Sequence, residues 1–186
     1  MTGRYERDPA RVFEEPANAV VVRAEAPDDV DAIFAITRQA FAGHPYSQGT
    51  EPYIVNWLRA AGALSLSLVA TIEGRVVGHV EFSPVAISDG AAGWYGLGPV
   101  SVIPGLQRRG IGTALIREGL DRLRATGAGG VALVGDPGYY GRFGFRHRPE
   151  LTLADVPPNV FLVLPFFGEL PSGAVTFHEA FGARAE

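Results

Sequence analysis

"VIPGLQRRGIGTALI", residues 102–116, joins an apolar, strand-like run to a helix-like one through a glutamine, two arginines and two glycines. A helix start is a natural anion site. Its first backbone N–H groups have no partner within the helix, and the macrodipole adds positive potential. Gln107, Arg108 and Arg109 follow the turn at Pro104-Gly105, and Gly110 and Gly112 then open the helix with no Cβ in the way. Backbone donors, helix dipole and guanidiniums together suit a pyrophosphate. Just upstream, Gly96, Gly98 and Pro99 interrupt a run apolar enough to be a buried strand. Such residues inside a strand mark a bulge or a close approach, and a bulge frees N–H groups for a ligand.

Other glycine-loop chemistries fail on detail. A dinucleotide fingerprint needs G-x-G-x-x-G, but Gly110-Ile111-Gly112 is followed by Thr113, Ala114 and Leu115. A P-loop or Schiff base needs lysine, and all sixteen basic residues are arginine. The hydrolase elbow G-x-S-x-G does not occur. With no cysteine, disulfides and thiolate catalysis are excluded. The histidines, at 44, 79, 147 and 178, lie far apart with no H-E-x-x-H, so no metal site is expected.

The 186 residues suit a single domain over 19–186, preceded by a loosely held, charged leader over 1–18. Apolar residues at 47% against 19% charged indicate a globular chain. A net charge of −4, with no strongly basic stretch, argues against a nucleic-acid partner. No apolar run reaches the roughly 18 residues of a membrane span. The N-terminus has no signal-peptide core, so no membrane role is expected and the cytoplasm is the expected compartment.

The chain alternates strand and helix signals. Val20–Arg23 reads as a strand, then a helix that Asp28 or Asp29 can cap, then a second helix with Pro52 in its first turn. Residues 64–87 split at Glu73-Gly74 into a hairpin. On its second strand, strict alternation puts Val77, His79 and Glu81 on one face. Ile111, Leu115, Leu120 and Leu123 give the main helix an apolar face, and "GVALVGD" is a strand covered on both sides. "PGYYGRFGF" makes a short helical turn, and "FLVLPFF" and "AVTFHEAF" supply the last strands. This is a mixed α/β pattern.

Gln107-x-x-Gly110-Ile111-Gly112, following Val100-Ser101-Val102, resembles the acyl-CoA loop of the GNAT superfamily of N-acyltransferases. Tyr140-Gly141-Arg142-Phe143-Gly144-Phe145, some 30 residues downstream, is similar to that family's Y-x-x-x-G-F segment. "GRVVGHVEFSPVAI", "DPGYYGRFGF" and "AVTFHEAF" look like a YhbS-like branch of it, so the resemblance spans about residues 20–181. It implies a central mixed, mostly antiparallel twisted sheet of about seven strands flanked by about four helices. It also implies an acetyl-CoA-dependent N-acetyltransferase in which an acceptor amine attacks the thioester directly in a ternary complex. Homodimerisation is a further expectation from it.

The resemblance assigns roles residue by residue. Val100, Ser101 and Val102 would line the pantetheine arm through their backbones, and Gln107, Arg108, Arg109, Gly110, Ile111, Gly112 and Thr113 would cradle the pyrophosphate. Tyr140 matches the usual thiolate-protonating tyrosine, a phenol that is protonated at neutral pH. Glu81 is the candidate base, acting directly or through water; a neutral amine would need none. His79 reads as a structural histidine. Asp136 stands where many members carry an asparagine that contacts the pantetheine arm, and it also suits capping the helix before Tyr140. The residues leave open an acyl-CoA-binding module that senses rather than turns over, and they do not fix acyl-chain length.

Overall fold

The computed structural model describes residues 19–43 and 47–182; the expected leader over 1–18 and His44 lie outside them. The chain opens with β1 (Val21–Ala24), α1 (Val30–Phe41) and α2 (Glu51–Ala60). The hairpin β2 (Leu66–Ile72) and β3 (Arg75–Pro84) follows. Its turn is Glu73-Gly74, with φ of 49° and 76°, the paired left-handed geometry that two-residue hairpins favour. Next come β4 (Ala86–Ile87), β5 (Trp94–Leu97), β6 (Ser101–Val102), α3 (Ile111–Ala125) and β7 (Gly130–Val134). The remainder is α4 (Pro137–Tyr140), β8 (Leu151–Thr152), β9 (Phe161–Pro165) and β10 (Gly173–Thr176).

Seven strands form one sheet in the order β1-β2-β3-β5-β7-β9, with β6 also paired to β3. Every pairing is antiparallel except β5 with β7, which α3 connects as a crossover. The expected seven strands and four helices are therefore present. A second sheet, β4-β10-β8, has strands of two to four residues. Among the described residues no helix is long and apolar enough to cross a membrane.

Two apolar layers hold the sheet between them. On one face Leu68, Val80 and Phe82 pack with Ile111, Leu115, Ile116 and Leu120 of α3. Each such side chain contributes roughly 1.5–3 kcal/mol on full burial. The helix can come this close because position 119 is glycine: a Cβ there would lie 2.3 Å from the Phe82 ring. On the other face Ile33 of α1 and Val55 of α2 pack on Val69. Asp29 stands at the N-cap of α1, yet it makes no side-chain cap bond. Its carboxylate instead accepts from Arg23 at 2.6 and 2.9 Å and from the Ala26 N–H at 2.7 Å.

One expectation about facing is corrected. His79 and Glu81 share a face with Ser67 and Val69, but Val77 does not join them. The β2–β3 register shifts between Ala70 and Thr71, so Ala70 pairs with Gly78 and Thr71 with Val76, leaving Val77 as the extra residue. A bulge breaks the period of two. Val77 turns into the α3-side core and Val76 takes its place beside Val69.

Candidate active site

The sheet is parted where the glycine-rich loop meets it. β3 pairs with β5 at Phe82–Pro84 and with β6 at Gly78–His79. β5 continues into a parallel ladder with β7 over Trp94–Gly96, while β6, among the described residues, pairs with β3 and not with β7. Leu133 and Val134 thus run on past the last β5 partner, Ala132. Gly98 stays on β3, its N–H donating to the Glu81 carbonyl at 3.1 Å.

The start of α3 faces the notch that this parting leaves. Arg108 has φ of 60° and Gly110, the N-cap, 88°. Alternating backbone hands of this kind turn successive N–H groups toward one point and make an anion nest. The α3 N-cap has no side-chain cap bond, so the first-turn donors of Ile111, Gly112 and Thr113 have no intrahelical acceptor. A Cβ on Gly112 would sit 3.3 Å from the Tyr139 hydroxyl and 3.8 Å from both Val100 and Val102 side chains. That proximity brings β6, α3 and α4 together at the mouth of the notch. Gln107 is exposed, and its Nε2 donates to the Val102 carbonyl at 3.1 Å. Ser101 is buried and donates to Thr37 Oγ1 at 3.0 Å. Ser101 therefore has only main-chain groups to offer a ligand. Arg108 and Arg109 are exposed.

Tyr140 forms the far wall. Its ring lies so close to Gly135 that a Cβ there would be 2.4 Å away, and it meets Phe145 edge-on at 6.0 Å and Tyr139 at 4.9 Å. Burial, with a smaller contribution from Tyr139, pushes its phenol above the ordinary value, so the proton stays on. Asp136 caps α4, its Oδ1 accepting from the Gly138 N–H at 2.9 Å. Arg142 lies 4.6 Å over the Tyr139 ring.

Glu81 lies under the near wall. It is 0% exposed, both carboxylate oxygens are without a partner, and burial pushes its pKa up to about 8. The reason for Gly98 now appears: a Cβ there would fall 1.5 Å from Glu81 Oε1 and 3.2 Å from the Phe181 ring. Gly96 likewise makes room for Phe177, whose ring would be 2.5 Å from a Cβ. In the sequence both glycines mark a bulge that frees N–H groups for a ligand. They also admit a carboxylate and an aromatic ring from other elements. His79 is 0% exposed, with Nε2 2.8 Å from Ser67 Oγ, and burial pushes it down to about 4. Glu25, Ser67 and Phe181 beside this site carried no sequence signal, being single residues in unrelated segments. Among the described residues no three His, Asp or Glu side chains group as metal ligands.

Donors at a helix start before a parted sheet, a phenol on one wall and a carboxylate beneath the other define an acyl-CoA-type transferase architecture. Residues 21–148 match the acetyltransferase (GNAT) domain, and the chain belongs to that family. It is 39% identical to the N-acetyltransferase YhbS of Escherichia coli over 128 residues, 68% of this chain and 74% of the relative. The crystal structure of that protein in complex with CoA superposes with a TM-score of 0.84 at 32% identity, covering 92% of this chain and 96% of the other. A GNAT family acetyltransferase of Brucella melitensis, in complex with acetyl-CoA, gives a TM-score of 0.79 at 48% identity, covering 88% and 99%.

Proposed function

We propose that this acetyltransferase moves the acetyl group of acetyl-CoA onto a primary amine, either of a small molecule or at a peptide N-terminus, by direct attack in a ternary complex. The observation that carries the reading is the anion nest of Arg108–Thr113 opening onto the parted strands β6 and β7. Two similar proteins crystallised with acetyl-CoA or CoA support the same co-substrate. Bound there, acetyl-CoA supplies an activated carbonyl and a good leaving group.

The chain's own residues do the rest. N–H groups of Gly110–Thr113 hold the pyrophosphate, with Arg108 or Arg109 adding a charged contact. The backbone of Val100–Val102 aligns the pantetheine arm, and an N–H near Val100 polarises the thioester carbonyl. Asp136, as the α4 cap, positions Tyr140 rather than contacting the ligand. Tyr140, kept protonated by burial, donates to the departing sulfur. Glu81 accepts the amine proton; a pKa near 8 suits a base working near neutrality. The chain's overall acidity favours a cationic acceptor.

A sensor that binds acyl-CoA without turnover is the competing reading, and the buried, raised Glu81 favours the enzyme. The test is release of free CoA thiol from acetyl-CoA against a panel of primary amines and free-N-terminal peptides. Amine-dependent release supports transfer. Tight acetyl-CoA binding with no release by any amine supports the sensor.

A further inference from the structure

The cover over Glu81 comes from a distant part of the chain. A Cβ on Gly98 would lie 1.5 Å from Glu81 Oε1 and 3.2 Å from the Phe181 ring, so carboxyl and ring meet over this one glycine. Phe177 fills the space above Gly96 in the same way. The two rings touch edge-on, 5.2 Å between centroids. The segment from Phe177 to Gly182 thus lies along the two glycines and over the acid between them.

This segment is held mainly by apolar contacts. Just before it, β10 pairs with β4 through Val175–Ile87 and Thr176–Ala86. Beyond Phe177 the chain closes in a short 3-10 turn, Glu179–Gly182. Buried Ala180 packs with Ile54 and Leu58 of α2, and Phe181 joins them. The Ala180 N–H donates to His178 Nδ1 at 3.1 Å and the Phe181 N–H to the His178 carbonyl at 3.0 Å, so both bonds stay inside the segment. Among the described residues no salt bridge ties it to the rest of the chain. A unit held in this way can swing on β10 without breaking the main sheet.

What lies beneath responds to its cover. Both Glu81 oxygens lack a partner, and burial is what raises the group. Its surroundings offer no free charge. Ser67, across on β2, is bonded to Glu25 and His79, and Arg59 of α2 to Glu25 and Asn56. On β3 itself stand His79, kept neutral by burial, and the Ser83 hydroxyl. From α1 come Ile33 and the Thr37 hydroxyl. On the covering segment His178 is half-buried and Glu179 exposed.

We infer that Phe177–Gly182 is a lid whose docking is coupled to the protonation of Glu81: it closes over the neutral acid and lifts when the acid ionises. The proton goes to solvent, and the carboxylate left behind needs the water that the closed lid excludes. Covered, the acid holds its proton up to about 8, whereas in water it would lose it near 4.5. Because the closed form binds the proton more tightly, rising pH between these limits favours the open form, by up to about tenfold per unit. Lifting also uncovers the chain at Gly98, beside Val100. That consequence for catalysis rests on the transferase reading, whereas the coupling does not.

Two measurements on the full chain test it. Hydrogen exchange of the amides from Phe177 to Gly182, corrected for intrinsic rates, is followed by mass spectrometry between pH 6 and 8. Protection should fall roughly threefold or more per pH unit in the wild type and stay level in Glu81→Gln, which keeps His178 and so isolates Glu81. Conversely, undocking the segment should free the acid. Infrared spectra locate the Glu81 titration through the carboxyl C=O stretch that Glu81→Gln removes. That titration should drop by about one pH unit or more in Ala180→Gln, whose added bulk pushes the segment off α2. Phe181→Ala carries this arm if Ala180→Gln does not fold. Equal exchange slopes in wild type and Glu81→Gln, or an unmoved titration in the undocked variant, overturns the lid. Calorimetry with acetyl-CoA on the same samples is separate: failure to bind defeats the transferase reading and leaves the coupling standing.

Discussion

Glu81→Gln turns the buried carboxylate into a thermodynamic measurement. In the unfolded chain this group titrates near 4.5, and in the folded protein burial raises it to about 8. A raised folded value means that the native state binds the extra proton between those limits. Stability is then fully present below pH 4.5 and is lost as pH climbs through 8, by about 1.4 kcal/mol per unit. His79 works oppositely. Its value falls from 6.5 to about 4, so its neutral form contributes stability above pH 6.5 that is lost on acidification toward 4. Between pH 4.5 and 6.5 the two slopes cancel, and from 6.5 to 8 only the loss from Glu81 remains. The wild type should therefore be flat and then decline. Glu81→Gln should rise to pH 6.5 and then hold level. Between pH 5 and 8 the variant gains about 4 kcal/mol on the wild type, a difference that any constant cost of the new amide does not affect. Urea titrations at half-unit pH steps measure it. Parallel curves would refute the claim that Glu81 is buried without a partner.

Tyr140→Phe should lower turnover roughly 100-fold or more while leaving acetyl-CoA affinity within a factor of two or so of wild type, read by thiol release and calorimetry. Gly119→Ala drives a methyl to within 2.3 Å of the Phe82 ring and should cost roughly 1–3 kcal/mol in urea unfolding. Asp136→Ala removes the 2.9 Å cap on α4 and should cost about 1 kcal/mol. Its larger effect should be on turnover, since Tyr140 sits at the end of that four-residue helix.

What the sequence made legible was local. The Glu73-Gly74 turn, the apolar face of α3 and the glycine-opened loop each depend on a few adjacent residues. Each appears where expected. What stayed hidden was non-local. Gly98 is glycine partly because of Glu81, seventeen residues away, and Gly96 because of Phe177, from the C-terminal segment. No pattern within either segment encodes that contact. The bulge that turns Val77 away from His79 depends on register with β2, which alternation along one strand cannot report. The second sheet escaped because β4 and β8 have two residues each, too few to show a period. Glu81 and His79 were visible as polar residues on a strand that should be dry. Ser67 and Glu25 were not, because only pairing brings them together.

Gly112→Glu tests the central claim most directly. Gly112 does not have a positive φ, a Cβ there meets nothing closer than 3.3 Å, and a carboxylate in a helix's first turn is favourable. The variant should fold and melt like the wild type. Calorimetric titration with acetyl-CoA should give micromolar binding to the wild type and none to the variant, whose charge occupies the pyrophosphate position. No binding to folded wild type, or equal binding to both proteins, would contradict the account.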